Sequence, residues 1–184
     1  MTLSRHEAFR RRIARLAFLL TGDHDRAVAM AASILRRRSN ADTLDAAHLD
    51  RLVILDARRI RPRPDASTPD ATAHARLLSL PPQPREAWIL TRLDGLDELA
   101  VAKSMDCSRT AVRLHLSVAE QALGQDAELA LALARLSDSV KPGDDIATRE
   151  SADREERRRR MLVVLSIVVL ASAAGVAVVV SGVV

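Results

Sequence analysis

The sequence predicts an all-α protein: two small helical domains followed by a C-terminal transmembrane helix. Three observations carry this expectation. Alanine, leucine and arginine, all strong helix formers, are abundant, while Gly counts only 6 of 184 residues and aromatics 2%. Apolar residues recur every three or four positions through most of the chain, the spacing of helices rather than strands. The last 24 residues, 161–184, are apolar and carry no charge.

The first domain is expected over residues 1–64. From Arg5 to Leu20, Phe9, Ile13, Leu16, Ala17 and Leu20 share one face, while Arg10, Arg11, Arg12 and Arg15 occupy the remainder. Thr21-Gly22-Asp23 stops this helix, and Asp23 or Asp25 caps a second that runs to about Arg38. A third helix starts near Asp45, uses Leu49, Leu52, Val53 and Ile60, and ends before Pro62 and Pro64. Periodicity predicts a three-helix bundle with solvated arginines. The polar run Asp65–Ala75 (DASTPDATAHA) predicts a linker over 65–76 between the two domains.

The second domain is expected over residues 77–124, and Leu80–Leu123 is the most informative stretch. Pro81, Pro82 and Pro84 introduce a packing helix; Pro84 suits a first turn, where its missing N–H would be unpaired anyway. Gly95 ends that helix and Asp97 caps the next, which breaks at Asp106-Cys107. Ser108 then caps a helix from Arg109 to about Leu123. Its inward stripe is Val112, Leu116, Ala119 and Leu123; Thr110, Leu114, Ser117 and Gln121 point outward, flanked by Arg113 and Val118. Two helices, a tight turn and an exposed second helix make a helix-turn-helix, whose usual target is the DNA major groove. Phosphate affinity needs Lys or Arg and base reading needs donors and acceptors, so Arg109, Thr110, Arg113, His115 and Ser117 are the candidate DNA contacts. His115 lies nearer the core flank. Leu114 and Val118 make much of the outward face apolar, which leaves a protein contact open as the alternative.

Beyond Gly124, residues 125–140 predict a short amphipathic helix built on Leu129, Leu133 and Leu136, and 141–160 a charged juxtamembrane linker. Residues 161–184 would span about 36 Å at ~1.5 Å per residue, enough for a hydrocarbon core of ~30 Å. Arg157, Arg158, Arg159 and Arg160 flank this span, so the positive-inside rule places residues 1–160 in the cytoplasm and Val184 on the far side of the cell membrane. The same arginines can touch anionic lipid. Met1–Arg15 is polar and basic, unlike a signal peptide.

Charge is unevenly spread: residues 1–64 hold 14 Arg against 7 acids, a net of +7, whereas 77–124 hold 5 basic and 6 acidic residues, a net of −1. The helix-turn-helix is therefore not strongly basic by itself. The lone Cys107 excludes an internal disulfide and a Cys-rich zinc site. The five histidines show no ligand spacing, and no nucleophile-base pair or phosphate loop appears. Neither an enzyme nor a bound cofactor or metal is expected.

The motifs L-P-P-x-x-R-E, G-L-x-E-x-x-x-A and C-S-x-x-x-V-R, which span Leu80–Leu123, resemble region four of extracytoplasmic-function sigma factors of RNA polymerase. The resemblance implies a module that binds promoter DNA and the polymerase flap. Where the family usually has Gly in the turn, this chain has Asp106. Cys107 stands where the family's motif has its own Cys, which implies a buried thiol. Phe9 to Ala27 and His48–Arg61 are similar, more loosely, to the start and end of sigma region two. That region's acidic Asp-x-x-Gln segment is replaced by Met30-Ala31-Ala32-Ser33, and its aromatic residues are absent. The implied partners are promoter DNA, core RNA polymerase, membrane lipid and an anti-sigma or other regulatory protein. The implied function is a membrane-anchored, sigma-factor-like transcription regulator. The alternative is a degenerate sigma homologue serving as a membrane-tethered protein-interaction module without promoter opening.

Overall fold

Side-chain caps set where the helices begin. Asp45 accepts from the Ala47 N–H at 3.4 Å, Asp97 from Ala100 at 2.8 Å, Ser108 from Ala111 at 3.1 Å and Asp126 from Leu129 at 3.0 Å. The structure, a computed structural model, describes residues 5–37, 45–64, 70–124 and 126–140. All of them lie within one compact unit, Met1–Pro142.

Eight α-helices and no strands occur among the described residues. In order they are α1 (Arg5–Thr21), α2 (His24–Arg37), α3 (Ala46–Ala57), α4 (Ala71–Leu78), α5 (Pro82–Trp88), α6 (Glu98–Met105), α7 (Arg109–Leu123) and α8 (Ala127–Asp138). A π-helical turn, Ile89–Leu93, extends α5. It closes where the Asp94 N–H reaches the Ile89 carbonyl at 3.1 Å and Gly95 turns left-handed at φ +65. The predicted span 161–184 and its flank Arg157–Arg160 lie outside the described residues; among those described, no helix is long and apolar enough to cross a membrane.

Helix α1 is the centre of the unit. It packs against α2, α3, α4 and α8, so Ala14 and Leu19 are fully buried together with Ile13, Leu16, Ala17 and Leu20 of the expected stripe, while Phe9 is half-buried. A helix surrounded on several sides cannot show one apolar face, which is why periodicity alone understated its burial. Helix α8 closes the other side with Leu129, Leu133 and Leu136 buried.

Half of the expected linker is helical. Residues 71–76 open α4, and His74 is fully buried, its Nε2 3.3 Å from the Leu19 carbonyl oxygen and its ring 4.9 Å from that of Phe18. Alanine favours helix, and burial against α1 overrides the polar composition that suggested a linker. Two smaller expectations also change. Leu116 and Cys107 are half-buried rather than buried, each packed at the edge of the core. Burial still pushes the Cys107 thiol above its ordinary range.

Buried charge joins the N-terminal helices to those that follow. Asp50 of α3 is fully buried and takes a bidentate clasp from Arg12 of α1, Nε at 2.9 Å and Nη2 at 2.7 Å. Ser104 of α6 donates to the same carboxylate at 3.3 Å. Arg15 donates to Asp94 at 3.0 Å, and Arg58 holds the buried Glu86 of α5 at 2.8 and 2.6 Å. Removing one partner of such a pair strands the other charge. Asp50→Ala is therefore expected to cost about 3–5 kcal/mol, and Ser104→Ala about 1 kcal/mol. Urea denaturation of both variants checks the order; equal losses would refute the central place given to Asp50.

Candidate nucleic-acid interface

Helices α6 and α7 meet at a turn made by Asp106, which adopts φ +55 as the left-handed cap of α6. The Cys107 N–H reaches back to the Ala102 carbonyl at 3.1 Å, closing the helix end. A left-handed non-glycine residue costs on the order of 1 kcal/mol. Its carboxylate accepts from Arg51 of α3 at 2.6 Å, an exposed pair worth about 0–1 kcal/mol, which offsets part of that strain. The aspartate thus trades backbone ease for a tie to the N-terminal helices.

Ser108 then launches α7, which lies against α5 and α6. Val112, Ala119 and Leu123 are buried beneath it. Thr110, Arg113, Leu114, Ser117, Val118 and Gln121 are exposed along the opposite side, with Leu114 63% and Val118 39% accessible. Of the predicted contacts, Arg109, Thr110, Arg113 and Ser117 are exposed on this helix, whereas His115 is half-buried.

One residue that sequence reasoning missed governs the charge of this surface. Glu98, in the first turn of α6, accepts from Arg109 Nε at 2.9 Å and from Arg113 Nε at 2.7 Å. A single carboxylate thereby ties down both arginines available to a phosphate. The signal was present in the sequence as the acid of G-L-x-E, but its reach across the turn is a tertiary fact. The Arg113 and Arg109 hydrogen bonds hold the Glu98 carboxyl below the ordinary glutamate value of 4.5. Among the described residues no His, Cys, Asp and Glu cluster could hold a metal ion.

Residues 71–123 match the family model "Sigma-70, region 4". The match begins where α4 begins and ends with α7, so it covers α4–α7 as one unit. This segment is a DNA-binding, sigma-factor-like helical domain, a regulatory rather than a catalytic kind of module. No curated protein matches the chain.

The depressed Glu98 pKa has a definite sign. The clasp contributes stability that is present above the unfolded glutamate value and is lost as pH falls through the lower, folded one. An NMR titration is expected to place Glu98 below 4.5, and Arg113→Ala to move it upward. An unchanged midpoint in Arg113→Ala would mean that the clasp does not persist in solution.

Proposed function

We propose that the chain is a membrane-anchored, sigma-factor-like transcription regulator that reads promoter DNA with α7 and engages core RNA polymerase. The observation that carries this is the capped helix-turn-helix of α6 and α7, its outward face open, inside the segment that matches sigma-70 region 4. Arg113, Thr110 and Ser117 are the donors on that face; Arg109 and Arg113 leave Glu98 for phosphate or base edges when DNA arrives. The span 161–184 and its flank Arg157–Arg160 hold the helical unit at the cytoplasmic face of the cell membrane, where those arginines meet anionic headgroups. An anti-sigma or other regulatory protein is a further partner in keeping with this role.

A second reading has its own observation. Leu114 and Val118 place exposed apolar surface at the middle of α7, where base contacts would be polar. On this reading α7 docks a protein and the N-terminal helices have lost promoter opening, consistent with the missing aromatic residues.

Two substitutions on α7 separate the readings. Arg113→Ala is expected to weaken specific DNA binding by about 1–3 kcal/mol if it reads a base, or to lower the salt slope by about one unit if it touches phosphate. Leu114→Arg is expected to leave or improve DNA affinity while abolishing a protein contact. Fluorescence anisotropy at two salt concentrations, with a core-polymerase pull-down, checks both. DNA binding unchanged in Arg113→Ala, with a partner lost in Leu114→Arg, would overturn the promoter-reading mechanism.

Topology is testable separately. A reporter fused after Val184 is expected to be active only outside the cytoplasm, and deletion of 161–184 to release the protein from membranes. A full-length chain recovered in the cytosol would contradict the anchor.

A further inference from the structure

Most arginines of the helical unit meet a carboxylate within 4 Å; the pattern breaks where the chain leaves α3. A cavity of about 340 Å³ opens there between the α3 exit and the α4–α5 corner, lined by Arg58, Arg59, Arg61 and Arg85 above the apolar Leu78 and Leu80. No carboxylate lines it. Arg58 is already committed to Glu86, but Arg59 and Arg61 are exposed and have no acidic partner among the described residues.

Arg85 is the telling group. It is only 5% exposed, its Nη1 donates to the Leu78 carbonyl at 3.1 Å, and its Nε has no partner. The neighbouring Glu86 carboxylate is turned to Arg58 instead. A buried guanidinium with an unpartnered Nε is expensive, and burial lowers the Arg85 pKa although the Glu86 charge raises it.

We propose that this cavity binds a small phosphorylated anion, whose oxygens accept from the Arg85 guanidinium and are gripped from solvent by Arg59 and Arg61. The guanidinium fork matches phosphate geometry, and no aromatic ring lines the cavity to stack a base, so the phosphate is the group recognised. The volume suits a ligand of pyrophosphate or sugar-phosphate size rather than a polymer. A second cavity of about 580 Å³ shares Arg61 and Pro62 and adds Arg26 and Arg63; its one acid, Asp23, is paired with Arg26 at 3.1 Å. The connecting segment is held rigid. The Arg63 N–H donates to the Thr21 carbonyl at 2.9 Å, and Gly22, at φ +78, packs so close that a Cβ would collide with the Arg63 carbonyl. An occupant would tie the α3 exit to the corner that opens the DNA-binding segment, at a site separate from α7.

Calorimetry of the full chain with inorganic pyrophosphate tests the site. One-to-one binding is expected, weakened at least tenfold in Arg59→Gln/Arg61→Gln, whose exposed positions leave helicity by circular dichroism unchanged. Arg85→Lys, which keeps the charge but not the fork, is expected to weaken binding as well; should it fail to fold, the double variant still decides. Absence of binding at millimolar pyrophosphate, or equal affinity in the double variant, would overturn the proposal. Displacement of pyrophosphate by a DNA duplex of unrelated sequence would overturn the small-molecule assignment and give the site to nucleic-acid backbone. Because neither variant touches α7, loss of pyrophosphate binding and loss of DNA reading are distinguishable.

Discussion

The Asp50 carboxylate, fully buried where α1, α3 and α6 converge, is the constraint on which the rest of the unit depends. A buried charge is tolerated only when its lone pairs are satisfied, and three of its bonds come from two different helices: two from Arg12 and one from Ser104. The hydrogen bond from Arg12 and the Asp50 charge raise the Arg12 guanidinium pKa against the desolvation that would lower it. Sliding α6 along α3 would break the Ser104 bond while leaving Asp50 buried. The first helix of the helix-turn-helix is thereby held in one register on the N-terminal helices. Arg15 with Asp94, Arg51 with Asp106 and Arg58 with Glu86 repeat the theme around the rim.

These pairings explain a charge distribution that looked unhelpful in the sequence. Part of the net +7 of residues 1–64 is met by individual acids of residues 77–124, whose own net is −1. Asp94, Glu86 and Asp106 face arginines of the N-terminal helices, and their charge is spent inside the unit. Glu98 does the same locally for Arg109 and Arg113. A weakly basic helix-turn-helix is thus one whose cations are already engaged and must exchange partners to meet a phosphate.

What was legible in the sequence was whatever local chemistry decides. Asp45, Asp97, Ser108 and Asp126 mark helix starts because a side-chain oxygen satisfies an N–H a few residues away, whatever the rest of the chain does. The outward face of α7 followed from 100° steps alone. What was not legible depends on distant partners. The burial of His74 in a polar, linker-like run needs α1 beneath it, and the π-helical turn at Ile89–Leu93 has no propensity signature. Glu98 reads as an ordinary first-turn acid until the α6–α7 turn brings two arginines to it. Arg85 reads as part of a motif until burial leaves its Nε without a partner.

The central claim is that α7 is the surface that meets DNA, with Glu98 releasing its arginines on contact. Backbone amide NMR of the chain titrated with a promoter duplex tests it most directly. The account predicts that the largest shifts fall on Thr110, Arg113, Leu114 and Ser117, together with Glu98, while α2 and α8 stay still. Shifts confined to other helices, or none on α7 at saturating DNA, would contradict it.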